Sequence, residues 1–243
     1  MQITTQAATR VASPRRTAIA AGVLYLITHV TSVGAVILYG PILNNARYIV
    51  GSGPDTQVLV GAFFEIILAF ANIGTAVALF PVVRRWGEGV AIGYVGLRTL
   101  ESGIIVAGII PLLTIVTLRQ AGIAGADPAN LVTLGHGLVA FHNWTFLIGP
   151  SFTSGANTVL MAFLMYRSRL VPRFIPILGL IGGPVTFASA AAVLFGLYGQ
   201  YSALNGVAAI EFAWEISLAL WLIIRGFNRS ALASMPATTD ASE

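Results

Sequence analysis

The sequence predicts an all-α polytopic membrane protein, a bundle of six transmembrane helices with the N-terminus and the C-terminus both in the cytoplasm. Three observations carry that prediction. Charged residues make up 9% of the 243-residue chain and hydrophobic ones 56%, whereas a soluble domain carries about 25% charge. That leaves too little charge to give a globule of this size a wettable surface. The apolar residues gather into six runs, each long enough to cross about 30 Å of hydrocarbon as a helix. Arginine, finally, is unevenly divided between the segments that separate those runs. A mean hydropathy of +0.84 rules out a soluble enzyme, a disordered chain and a nucleic-acid reader.

The elements follow in chain order. Residues 1–14 are small and polar and read as a disordered tail. The first apolar run, 17–39, has 23 residues, longer than the usual signal-peptide core of about 7–15, and no clear cleavage site follows, so a retained helix is expected. Further spans are predicted at 58–82, 90–116, 134–166, 174–197 and 203–225, within a membrane domain over 15–227. The fourth opens on the moderately apolar LVTLGHGLVAFHNW and is expected to kink at Gly149-Pro150, where proline removes a backbone donor. Turn residues mark loops over 40–57 and 117–133, and 228–243 read as a second disordered tail. Trp86 and Tyr166 fall where aromatic anchors sit at the membrane interface.

Ten arginines (10, 15, 16, 84, 85, 167, 169, 173, 225 and 229) fall on one side of the six spans, Arg47 and Arg119 on the other, and Arg98 inside a span. The positive-inside rule then places both termini in the cytoplasm. All 13 basic residues are arginine, which reads as codon bias of a GC-rich bacterial genome. The expected location is therefore the cell membrane of a bacterium, inner or plasma. The pI near 9.9 comes from these scattered groups and not from a nucleic-acid-binding patch. Without cysteine there is no disulfide and no thiolate chemistry. Helix contacts are expected at small residues: Gly179 with Gly183, Ala188 with Ala192, and Ala18 with Gly22. No internal repeat is evident.

Five formal charges lie inside the spans: Glu65, Arg98, Glu101, Glu211 and Glu215. Each costs about 2.5–3.5 kcal/mol at the bilayer centre, so none should face lipid. Glu65 and Glu211 fall about seven or eight residues from the outer ends of their spans, about 10–12 Å deep. Glu101, Glu215 and His29 lie near mid-depth, Arg98 slightly to the cytoplasmic side, and His142 in the fourth span. Arg98 and Glu101 are spaced i, i+3, and Glu211 and Glu215 i, i+4, so each pair shares a helix face. One guanidinium does not neutralise four carboxylates. The surplus must be protonated, hydrogen-bonded to groups such as Asn72, Asn143 and Asn157, or wetted by a cavity. Glu65, Arg98, Glu101, Glu211, Glu215, His29 and His142 are accordingly the candidates for binding a proton, a cation or a small ligand.

No metal site and no cofactor is expected. His136 and His142 are six residues apart and point to different sides of a helix, and no HExxH, GxSxG, Walker or dinucleotide motif occurs. The expected partners are the lipid bilayer, an unidentified small ligand or ion and, for so small a bundle, a second copy of the chain. Nucleic acid is not expected.

Four segments, RRTAIAAGVLYLIT (15–28), ALFPVVRRWGEGVAIGYVGLRTLESG (78–103), YRSRLVPRFIPILGLIGG (166–183) and IEFAWEISLALWLIIRGF (210–227), resemble the bacterial membrane proteins catalogued as domain of unknown function 4386. The resemblance implies a polytopic membrane fold and assigns no activity. Arg98, Glu101 and Glu211 fall within the matching segments. Three functions are compatible with the residues. The first is a possible carrier, whose polar cluster binds a proton, cation or small ligand. The second is a structural or regulatory membrane component whose charges fix helix packing. The third, a membrane-embedded lipid-modifying enzyme, lacks an identifiable nucleophile or metal.

Overall fold

A computed structural model describes residues 13–45, 47–122, 126–200, 202, 206 and 209–234. The main helices are α1 (Pro14–Leu38), α3 (Asp55–Val83), α4 (Glu88–Ala121), α5 (Pro128–Phe146), α6 (Ser154–Ser168), α7 (Phe174–Leu194) and α8 (Ala209–Ile224). Of two short ones, α2 (Gly40–Leu43) lies in the connection between α1 and α3, and α9 (Arg229–Ala233) follows α8. Five helical stretches among the described residues are long and apolar enough to cross a membrane: Pro14–Leu38, Asp55–Trp86, Glu88–Ala121, Pro128–Ser168 and Phe174–Leu194. The predicted sixth run, 203–225, coincides with α8 over 16 residues, about 24 Å at 1.5 Å per residue. Residues 203–205, 207 and 208 lie outside the described residues.

The ends of the helices follow their capping chemistry. Ser13 accepts from the Arg16 N–H at 3.3 Å, and Pro14 occupies the first helical position. Asp127 does the same for α5, accepting from Ala129 N–H at 3.0 Å ahead of Pro128. Gly122, at φ 50°, closes α4. The connection expected over 117–133 is therefore shorter, because α4 continues to Ala121 and α5 already begins at Pro128. Part of the C-terminal tail expected to be disordered forms α9, whose first turn is capped by Asn228 Oδ1 accepting from Ser230 N–H at 3.1 Å. The tail expectations for 1–12 and 235–243 lie outside the described residues.

The expected kink at Gly149-Pro150 takes the form of a π-helical turn, Leu147–Thr153, that joins α5 to α6 without a break. Pro150 has no N–H to donate, and the widened turn accommodates the missing bond.

Along α1, α3 and α4 the same order of layers appears. At the end that carries the start of α1 and the end of α8, an apolar core gathers Ala18 and Tyr25 (α1), Leu79 and Val83 (α3), Tyr94 (α4), Leu164 and Met165 (α6), and Trp214 and Leu218 (α8). A second core at the opposite end gathers Ala35, Tyr39, Val58, Ala62, Ile109 and Leu112. Between them lie the charged positions of α1, α3, α4 and α8. Helices approach closely where side chains are small. A Cβ on Gly22 would lie 2.6 Å from the Ala219 carbonyl of α8, and one on Gly183 would lie 2.7 Å from the Gly155 carbonyl of α6. The Ala188–Ala192 pair makes no such seam: Ala188 is exposed and Ala192 half-buried.

The connection between α1 and α3 is tied down by one side chain. Arg119, near the end of α4, donates Nε to Asp55 Oδ1 (2.9 Å), Nη1 to the Gly51 carbonyl (2.9 Å) and Nη2 to the Gly53 carbonyl (2.8 Å). Its guanidinium also lies 5.1 Å over the Tyr48 ring, and Tyr48 donates to Asp55 at 2.9 Å. Burial, helped by that bond, pushes the Tyr48 hydroxyl up to about 12, so it remains a donor throughout the neutral range.

Two outcomes follow. Arg119→Ala removes the cation from Asp55 and the donor from two carbonyls and should cost about 1.5–3 kcal/mol, read as a lower thermal midpoint and faster proteolysis within 44–55. Gly22→Val should separate α1 from α8 and cost about 1–3 kcal/mol by overpacking, with Ala188→Val at an exposed position within 0.5 kcal/mol of the parent.

Candidate functional site

Arg98 stands at the centre of the polar layer, 2% exposed. Its Nη1 donates to Asn72 Oδ1 on α3 (3.2 Å) and to Glu101 Oε2 one turn along α4 (3.1 Å), and its Nη2 to Glu215 Oε1 on α8 (2.5 Å). Its charge also lies 5.5 Å from the centre of the Tyr25 ring and 5.9 Å from that of Tyr94. Glu101 Oε2 accepts a further bond from Asn157 Nδ2 on α6 at 2.7 Å. The i, i+3 spacing of Arg98 and Glu101 thus yields the expected pair, and α8 adds a second carboxylate to the same guanidinium.

Glu65 and Glu211 are bound differently. Glu65 Oε2 accepts from the Tyr39 hydroxyl at 2.9 Å. Glu211 Oε1 accepts from Ser154 Oγ (2.7 Å) and Thr158 Oγ1 (2.9 Å), both on α6. Among the described residues, neither carboxyl has a cationic partner within salt-bridge distance. Small residues put Glu211 in place: a Cβ on Gly182 would lie 2.9 Å from the Glu211 nitrogen, so only glycine lets the start of α8 approach α7 this closely.

The two spans' histidines part company. His29 Nδ1 lies 2.8 Å from the Tyr25 carbonyl, an acceptor only, so that nitrogen carries the proton. Its Nε2 then faces Glu215 Oε2 at 3.6 Å. His142 is buried elsewhere: its Nδ1 meets the Gly108 carbonyl at 2.8 Å and its ring meets that of Tyr39 edge-on at 5.5 Å.

Six of the seven candidates, His29, Glu65, Arg98, Glu101, Glu211 and Glu215, line one cavity of about 430 Å³, and His142 does not. The polar side is completed by Asn72, Ser154 and Thr186, the apolar side by Val33, Ile37, Phe146 and Phe212. The π-helical turn contributes Pro150 and Ser151 to the wall. Asn72 Nδ2 is buried without a hydrogen-bond partner among the described residues. Since Asn72 Oδ1 is committed to Arg98, the amide orientation is fixed and a free donor is left beside the cavity. Three or more His, Asp or Glu side chains do not converge as a metal site requires, among the described residues.

Sequence reading missed Tyr39, Ser154 and Thr158. Uncharged hydroxyls are common in spans and carry no signal alone, although Ser154 and Thr158 share an i, i+4 face that Glu211 meets. In size and lining the cavity suits a drug-sized ligand, predominantly apolar with a few placed polar groups.

No curated protein and no solved structure matches the chain. A family profile described as Domain of unknown function (DUF4386) matches residues 20–226. The matched stretch runs from the first turns of α1 to the residues just after α8 and encloses every side chain of the cavity. The chain belongs to the DUF4386 family.

Proposed function

We propose that the protein is a six-span membrane carrier, with both termini in the cytoplasm, whose central cavity binds a small organic cation and exchanges it for protons. The observation that carries this reading is the division of the carboxylates. Arg98 answers Glu101 and Glu215, while Glu65 and Glu211 are held in the same cavity by hydroxyls alone. An ionised carboxylate without a counter-charge at this depth is expensive, so each requires a proton or a cation. The apolar wall favours a cation with hydrocarbon bulk over a bare ion, and the Asn72 amide supplies a donor for an acceptor on that molecule.

The crossing number rests on α8 as the sixth span. Support for a shared side comes from Arg15, in the first turn of α1, which donates to the Leu222 and Ile223 carbonyls at the end of α8. Both ends of the membrane domain then lie together, on the arginine-rich side. A structural reading is favoured for one part of the layer: the Arg98 network joins α3, α4, α6 and α8 and fixes how they pack.

Carbodiimide labelling of the purified protein in lipid, located by mass spectrometry, tests the proposal. Glu65 and Glu211 should be modified, Glu101 and Glu215 spared by Arg98, and tetraalkylammonium ions from tetramethyl to tetrabutyl should protect in a size-dependent way. Protection should weaken as the pH falls, because protons and the cation compete for the same oxygens. Labelling of Glu65 and Glu211 that no cation reduces at any pH would sink the proposal.

Variants separate the two parts of the layer. Glu65→Gln and Glu211→Gln should each lower cation affinity tenfold or more while the thermal midpoint stays within a few degrees. Arg98→Gln should cost about 3–5 kcal/mol of stability, because it leaves Glu101 and Glu215 buried without their cation. Equal destabilisation by all three, with binding intact, would make the whole layer structural.

A further inference from the structure

A second recess, of about 380 Å³, lies at the end of the bundle that carries the start of α1 and the end of α8. It is lined by Arg169, Arg173 and Arg225, together with Trp221 and Asn228. Two connections form it, the one between α6 and α7 and the one that follows α8, clamped by the Asn228 N–H donating to the Leu170 carbonyl at 2.8 Å. Leu170, Val171 and Phe227, all buried, anchor the same two connections in the apolar core. The arginines thus project from a fastened frame.

We propose that this recess binds the phosphate of an anionic lipid. Among the described residues, none of the three guanidinium groups has a carboxylate within salt-bridge distance. Arg15 beside them is satisfied differently, by the terminal carbonyls of α8. Three like charges around one hollow repel unless an anion joins them, and the planar fork of arginine matches phosphate oxygens. Arg169 is the single non-glycine residue with positive φ among those described, at 55°. That conformation is unfavourable for a side-chain-bearing residue, yet it holds the arginine at the rim where glycine would serve the turn better. Arg173 is braced 5.0 Å over the Tyr166 ring, and α7 begins immediately after it, adding the positive end of a helix dipole.

Depth argues for a lipid over a soluble phosphate. Trp221 lies in the last turn of α8, where aromatic residues meet the headgroup layer. Phe174 and Ile224, next to the lining arginines 173 and 225, are 62% and 67% exposed and offer apolar surface to acyl chains. A basic pocket between helices at this level is the arrangement that recognises anionic headgroups.

Native mass spectrometry of the full chain, titrated with phosphatidylglycerol or phosphatidylcholine, is the test, with inorganic phosphate as a third arm. Phosphatidylglycerol should bind at least tenfold tighter than phosphatidylcholine, and inorganic phosphate should neither bind measurably nor displace it. Arg173→Gln and Arg225→Gln should each weaken binding about fivefold. Arg169→Gly should weaken it equally while preserving or raising thermal stability, since it relieves the backbone and removes only the guanidinium. The Arg84→Gln/Arg85→Gln double variant, which removes charge elsewhere on the arginine-rich side, should bind as the parent does. Equal loss in that double variant, or no preference for phosphatidylglycerol, would overturn the site. Tight binding of inorganic phosphate, lost in the recess variants, would overturn the lipid as its ligand.

Discussion

One buried guanidinium organises the bundle. Burying Arg98 is tolerable only because its donors meet acceptors on several helices at once: Asn72 from α3, Glu101 from its own helix and Glu215 from α8. Glu101 in turn holds Asn157 of α6, and the Tyr25 ring of α1 lies beneath the charge. Hydrocarbon supplies no drive for helices to associate, so a charge that pays for its burial through five helices gives them a reason to meet in one arrangement. The two apolar cores can then be ordinary. Each is a set of interlocked side chains on one side of the polar layer, and the layer decides which helices supply them.

Two jobs are divided among four carboxylates. Those matched to Arg98 are committed, and a proton or ligand would have to compete with a guanidinium for them. Those held by Tyr39, Ser154 and Thr158 are uncommitted, because a hydroxyl can donate to a carboxylate or accept from a carboxylic acid as circumstances change. Under the proposed function, a packing device and a binding site share one cavity and rest on different residues.

Much of this is legible in the sequence. The apolar runs around His29, Glu65, Arg98 and Glu215 located the helices, and the i, i+3 spacing already paired Arg98 with Glu101. The rest depended on contacts between helices, which linear spacing does not encode. His142 shared His29's candidacy, but α5 turns it toward the Gly108 carbonyl of α4 and away from the cavity. Glu211 and Glu215 share a face of α8, yet they lie against different neighbours, α6 for one and α4 for the other. Ala188 and Ala192 had the spacing of a helix seam, and that side of α7 proved open. The arginine recess was invisible for a related reason: Arg169 and Arg225 are far apart in the chain, and positive residues between spans are unremarkable when read one at a time.

The π-helical turn at Leu147–Thr153 has a rotational meaning. In a regular helix each residue advances the azimuth by about 100°, so the faces of α5 and α6 would be locked to one another across more than ten turns of continuous rod. The wide turn breaks that lock. It lets α5 pack on α4 while α6 is turned independently, so that Ser154, Asn157 and Thr158 point at carboxylates instead of toward the acyl chains. The number of residues in that turn, more than their identity, sets the azimuth of α6.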